Sequence, residues 1–245
     1  MDKVIEEINK AQKILLHCHP HPDPDSVGST LALKISLEKI GKKVTLIHGD
    51  SGIPRAFHFP RVNEIEEKTI SEIDLNIFDL FLILDSSSME MVSRKEKVDF
   101  PDTLRTAIID HHSSNQGFGK VNWIDPLYSS TSEMVYDLVN KLGIEIDHDV
   151  ALNIFMGIYT DTGGFRYGKN SGRTLEVASK LAKIAPDYQK TIFLMENSQS
   201  KGALVFEGIM LNSQRTFFDG KLVVASASFD ELEKNNINEE DIFTG

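Results

Sequence analysis

A single cysteine, Cys18, stands among 245 residues, so the chain can form no internal disulfide, and it fits a reducing cytoplasm. Flanked by two histidines and closing an apolar run, Cys18 is expected to fill the core rather than bind metal as a thiolate. No apolar stretch approaches the roughly 18 residues of a membrane span. Positive charge is also scarce: 26 Lys and Arg face 37 Asp and Glu, a net charge of −11. That balance excludes a broad basic surface that would grip duplex DNA or an anionic membrane. It does not exclude a small anionic substrate, because divalent cations in a carboxylate cluster create a local positive focus that net charge conceals. Solenoid repeats and low-complexity tracts are absent. The opening residues, MDKVIEEINKAQ, are charged and partly acidic, unlike a signal peptide, and a cytoplasmic location is expected.

Hydrophobic residues make up 40% and charged residues 26%, enough apolar content for one large domain or two modest ones. KVIEEINKAQ predicts an amphipathic helix and KILLHCH a short buried strand. From Ser26 onward the pattern turns helical, with Leu31, Ile35 and Leu37 or Ile40 near one face and Gly41 as the stop. VTLIHGD, FDLFLILDSS and RTAIIDHHSS predict further strands. TSEMVYDLVNKLG, DVALNIFMGIYTDTGG and SGRTLEVASKLAKIAP predict helices. Apolar strands alternating with helices indicate an α/β fold with a largely parallel sheet, in which ligands gather beyond the carboxyl ends of the strands. The composition shifts near Pro186. Residues 1–185 are expected to form the main domain, and 186–245 a helical linker with the start of a second α/β domain. The one or two strands there cannot bury their own faces, so that domain is expected to be cut short or completed by another chain.

The unusual residues fall at predicted strand ends. His19, Asp23 and Asp25 follow the first strand, Asp85 closes another, and Asp110, His111 and His112 close a third. In HCHPHPDPD, His19, His21 and Asp23 each precede a proline and are expected to be extended. Pro20, Pro22 and Pro24 fix their own φ and donate no backbone hydrogen bond. A stiff loop crowded with nitrogen and oxygen donors suits metal binding, since little reordering is needed when the ion arrives. The competing reading is a surface loop whose carboxylates cap the following helix, with Asp25 as the N-cap. Mixed carboxylate and imidazole donors suit Mn²⁺, and less well Fe²⁺, Co²⁺ or Zn²⁺. With no thiolate cluster, structural zinc has no support.

In that order and spacing, HPHPDPDSVGS, LILDSSS, IIDHHSSN and GIYTDTGGFRY resemble the four motifs of the DHH phosphoesterase superfamily. Within it, the likeness is to the nano-RNA-degrading phosphodiesterases that also act on 3′-phosphoadenosine 5′-phosphate and linear dinucleotides. The likeness covers residues 5–185 well and 186–245 more loosely. It implies a DHH metal-binding catalytic domain with two divalent ions, Mn²⁺ foremost. His19 and Asp23 would hold the first ion, Asp25, His111 and Asp161 the second, and Asp85 would bridge them. A metal-bridging hydroxide would attack phosphorus in line. His112 would contact the phosphate and assist proton transfer to the leaving oxygen, and Asp110 would orient a histidine. Arg166, in GGFRYG, is read as holding either substrate phosphate or a structural carboxylate. The implied partner is a short oligonucleotide or small phosphorylated nucleotide, with a homodimer as the expected assembly.

His17 is expected to serve core packing or to support the site, His21 matches a variable position, and His48, His58 and His148 are read as ordinary residues. Two features depart from the family pattern. Pro24 stands between the first-motif aspartates, where a flexible residue is usual. The glycine-rich, histidine-containing motif of the family's second domain is absent from the sequence. Two alternatives therefore stand beside the leading reading: a pyrophosphate or polyphosphate hydrolase with the same metal motifs, and a non-catalytic nucleotide-binding module lacking its substrate lobe.

Overall fold

The computed structural model describes residues 1–242, apart from the side chains of Glu239 and Glu240. It divides into two compact units: Met1–Ile53 with Phe57–Ile192, and Pro54–Ala56 with Phe193 onward. The expected boundary at 185/186 falls just before α6 (Tyr188–Asn197), and the division falls within that helix.

The first unit is built on five parallel strands in the order β2-β1-β3-β4-β5: β1 (Lys13–His17), β2 (Lys43–Ile47), β3 (Leu80–Leu84), β4 (Arg105–Asp110) and β5 (Val121–Ile124). Burial on both faces is why β3 reads as the uninterrupted run Leu-Phe-Leu-Ile-Leu rather than an alternation. Leu15, Phe81, Ile83 and Ile108 pack on one face beneath Ile70, Phe78, Val92 and Leu104 from the connecting segments. The chain leaves β1 to one side for β2 and returns to the other side as β3. The carboxyl ends of β1 and β3 therefore flank a switch point, the place where an open parallel sheet forms its crevice.

Seven helices accompany the strands: α1 (Asp2–Lys10), α2 (Pro24–Lys39), α3 (Thr131–Lys141), α4 (His148–Asp161), α5 (Ser171–Ile184), α6, and α7 (Lys201–Asn212) of the second unit. The sequence predicts α2 as a helix with one apolar face, but every residue from Asp25 to Leu37 is buried and Ile40 is exposed. Two features permit this. The hydroxyls bond within their own helix, with Thr30 donating to the Ser26 carbonyl at 2.6 Å and Ser36 to the Ala32 carbonyl at 2.7 Å. Gly28 lies so close to α4 that a Cβ would meet the Asn153 carbonyl oxygen at 2.5 Å. The α2 helix is thus a central element, packed against β1, β2 and β3 on one side and against α3 and α4 on the other. Edge strand β5 has no counterpart in the sequence reading, because four residues with Asn122 exposed carry too short an apolar signal.

In the second unit α7 precedes an antiparallel hairpin, β6 (Arg215–Phe217) with β7 (Leu222–Val224), then α8 (Phe229–Lys234) and α9 (Glu239–Ile242). The hairpin turns through Phe218, Asp219 and Gly220, all at positive φ, which the sequence FDG accommodates at its last two positions. Phe217, Leu222, Val223 and Val224 are exposed, as expected of a two-stranded sheet with no further layer on it among the described residues.

Candidate metal centre

Three strand ends and two helix termini deliver the polar residues. After β1 the chain bends at Pro20–His21. His21 has φ 55, so it is not extended as the pre-proline rule predicts, while Asp23 is extended. Asp23 is the N-cap of α2, its Oδ1 accepting from the Ser26 N–H at 2.8 Å, with Pro24 at the first helical position, where its missing N–H costs nothing. The helix therefore begins two residues earlier than predicted. Asp25 does not cap it. The Asp25 carboxylate instead accepts from the first N–H groups of α3, Thr131 at 2.7 Å and Ser132 at 2.9 Å. Asp85, just past β3, lies in the left-handed region at φ 52, a conformation that Asp tolerates better than most residues but that still stores strain.

These residues converge. His19 Nε2 lies 3.7 Å from Asp23 Oδ1 and 3.6 Å from Asp85 Oδ2. On the other side, His111 Nε2 lies 3.2 Å from Asp161 Oδ2 and 3.8 Å from Asp85 Oδ1. His19, Asp23 and Asp85 form one group whose donor atoms all lie within 4.8 Å, and Asp25, His111 and Asp161 form another. Asp85 turns one oxygen to each group. His112 stands beside it, Nδ1 3.6 Å from Asp85 Oδ1, and its own tight partner is Asp110 Oδ1 at 2.7 Å. Asp110 is buried and also accepts from Asn115 Nδ2 at 2.7 Å, so it orients His112 without facing either group.

The donor set fits a divalent ion. His111 Nε2 is buried yet makes no hydrogen bond, although a carboxylate oxygen lies 3.2 Å away, so its position relative to Asp161 is that of converging donors rather than of a bonded pair. Burial pushes the Asp161 carboxyl up to about 7, aided by the charges of Asp85 and Asp23. Burial and the charges of Asp85, Asp161 and Asp23 raise Asp25 likewise. Burial alone would lower His19, but Asp23 and Asp85 outweigh it and raise the imidazole to about 10. All three shifts are upward, so these three groups hold extra protons in the folded metal-free chain. Their stabilisation is full below the ordinary values of 3.8 and 6.5, and is lost as pH rises through about 7 and about 10. A cation must displace those protons. The melting-temperature rise on adding Mn²⁺ is therefore expected to be larger near pH 8 than near pH 6; an equal rise at both would contradict this linkage.

The family model described as "DHH family, N-terminal domain" matches residues 13–158, more than half of the chain. The chain belongs to the DHH family. Its DHH triplet is Asp110-His111-His112, at the end of β4. The chain is 30% identical over 227 residues to the bifunctional oligoribonuclease and PAP phosphatase NrnA of Thermus thermophilus, an alignment covering 91% of this chain and 66% of that one. It is 26% identical to the protein of the same name in Bacillus subtilis, covering 73% and 55%. The chain thus spans between half and two thirds of the length of these relatives. In structure it resembles an exopolyphosphatase-related protein of Bacteroides fragilis, with a TM-score of 0.88 at 25% identity, over 98% of this chain and 72% of that one.

Around the DHH triplet, the remaining residues named from the sequence separate clearly. His17 is buried in β1, edge-on to Phe81 with ring centroids 5.2 Å apart, its Nε2 3.3 Å from the Met91 carbonyl; burial lowers it to about 4, so it is a neutral packing residue behind the site. Burial likewise pushes the Cys18 thiol up to about 12, which leaves it inert. Arg166 is exposed on the loop after α4 and makes no ion pair among the described residues. His148 pairs at the surface with Asp149 and Asp187. Three contributors were not singled out in the sequence. Asn115 was within reach, since it ends the quoted IIDHHSSN. Thr131 and Ser132 sit in a serine-threonine run that reads only as a helix start.

Gly157 of α4 is a further contributor, invisible in sequence. A Cβ there would meet Ser132 Oγ at 2.0 Å and Asp25 Oδ1 at 2.7 Å. Gly157→Ala is expected to cost about 1–3 kcal/mol through overpacking and to weaken metal binding by displacing Asp25. Chemical denaturation with and without Mn²⁺ reads both effects, and an unchanged midpoint would show that α3 and α4 separate freely.

Proposed function

We propose that the chain is a two-metal phosphoesterase acting on short oligoribonucleotides, linear dinucleotides or 3′-phosphoadenosine 5′-phosphate. The observation that carries this reading is the pair of donor groups at the switch point of the sheet, with Asp85 turning Oδ2 toward His19 and Oδ1 toward His111. The names of the relatives supply the substrate class. In this reading His19, Asp23 and Asp85 hold one ion, and Asp25, Asp85, His111 and Asp161 the other, with Mn²⁺ favoured by the mixed donors. Two such ions supply an activated water near neutral pH and neutralise charge on the phosphate.

The chain's own residues do the rest. His112 is half-exposed, and its hydrogen bond to Asp110 raises it to about 9, so it is cationic at neutral pH. With Nδ1 committed to Asp110, the other ring nitrogen is left to donate to a phosphate oxygen and to pass a proton toward the leaving oxygen. Arg166, exposed and unpaired among the described residues, is assigned to a non-scissile phosphate. The acidic balance of the chain disfavours long duplex substrates. The chain is assigned to the cytoplasm, where its single thiol stays reduced, and to a homodimer.

Release of AMP from 5′-pApA and from 3′-phosphoadenosine 5′-phosphate, and of phosphate from polyphosphate, each with Mn²⁺ and with chelator, tests the proposal. Mn²⁺-dependent AMP from the first two is expected. Phosphate release from polyphosphate alone would shift the assignment to the activity suggested by the Bacteroides protein's name, and no release from any of them would overturn it.

A further inference from the structure

We propose that Thr131 is a positioning residue that ties the two ion sites into one unit. The inference rests on the reading of the two donor groups as ion sites, and it concerns a residue outside both. Thr131 is the first residue of α3 and is fully buried. Its N–H donates to Asp25 Oδ2 at 2.7 Å, and its hydroxyl donates to Asp85 Oδ1 at 3.0 Å. Asp25 belongs to the group with His111 and Asp161, whereas Asp85 completes the group with His19 and Asp23. One residue thus holds Asp25 of one group and, through the Oδ1 that faces His111, the carboxylate of Asp85 whose other oxygen faces His19.

The chemistry of threonine suits this task. A β-branched side chain has few rotamers, so a hydroxyl fixed on the first helical turn is a rigid donor. It is also neutral. A lysine or arginine in its place would hold both carboxylates and repel the ions they are meant to bind. The N-terminal end of α3, whose first two N–H groups donate to Asp25, eases the crowding of negative charge without adding a full positive one. The hydroxyl donor on Oδ1 also restrains the side-chain rotation of Asp85. Ser132 contributes a second N–H to Asp25, so the grip on that carboxylate survives changes to the Thr131 side chain, while the grip on Asp85 does not.

The test compares Thr131→Val with Thr131→Ser by Mn²⁺ titration of the full chain, following free Mn²⁺ by electron paramagnetic resonance, with melting in chelator as the control for folding. T131V is expected to bind Mn²⁺ about 10–100-fold more weakly, the loss typical of removing a partner that orients a metal ligand. T131S, which keeps the hydroxyl, is expected to bind like the unaltered chain. Tight binding by T131V, or equally weak binding by T131S, would overturn the assignment, the second because it would place the effect in the lost methyl group. If T131V melts below the assay temperature, Thr131→Ala is read in the same way. Failure of the unaltered chain to bind Mn²⁺ would instead remove the reading of the two groups as ion sites, and this inference with it.

Discussion

Asp85→Asn is expected to reduce metal-dependent hydrolysis more than about 100-fold, beyond the loss that follows removal of a supporting partner. The substitution isolates charge from shape. Asn tolerates the left-handed conformation found at φ 52 and retains an oxygen to accept from Thr131. What disappears is the carboxylate that turns one oxygen toward His19 and the other toward His111. The metal-free fold should survive, since the change also removes a negative charge that raises Asp25 and Asp161. A metal at a hundred times its dissociation constant stabilises a native site by about 2.7 kcal/mol, and that increment should vanish in the variant. Retained turnover with a retained metal-dependent rise in melting temperature would remove Asp85 from the centre of the site.

The second large effect lies outside the donor groups. Glu133 is fully buried at the start of α3, where its carboxylate pairs with Arg173 of α5 and accepts from the Ser129 N–H at 3.0 Å. Arg173 also pairs with Asp137 at 2.5 Å, and its guanidinium carbon lies 4.8 Å from the centroid of the Tyr128 ring. Removing one partner leaves a buried charge uncompensated, which costs about 3–5 kcal/mol. Arg173→Met is therefore expected to lower the melting temperature by roughly 10 °C in a chain of this size. The double variant Glu133→Gln with Arg173→Met should recover much of the loss, because the stranded charge is gone. Full stability of the single variant would show that Glu133 is already satisfied by the Ser129 N–H and by the Thr174 hydroxyl, which donates to it at 3.3 Å. This network also fixes the Tyr128–Ser130 segment leading into α3, and thus the N–H groups that hold Asp25.

How much was legible in sequence depended on whether the information was local. Strands β1, β3 and β4 each carry an uninterrupted apolar run followed at once by polar residues, and the switch-point rule places those polar residues together. The residues gathered around Asp85 could thus be named before the fold was known. The surroundings of α2 were not legible, because its burial on all sides depends on hydroxyls that bond within the helix and on a glycine contact with α4, neither of which shows as periodicity. Asp25 as its N-cap was a reasonable local inference, but the cap is Asp23, because Pro24 favours the first helical position. The contacts of Thr131 span 46 residues to Asp85 and 106 to Asp25, a separation that no local pattern encodes.

Anomalous diffraction from a Mn²⁺-soaked crystal tests the central claim most directly. Two peaks about 3.5–4 Å apart are expected, the usual spacing of a two-metal site. One should lie among His19, Asp23 and Asp85, the other among Asp25, Asp85, His111 and Asp161, with an oxygen of Asp85 bound to each. A single peak, or two peaks with Asp85 bound to neither, would contradict the account.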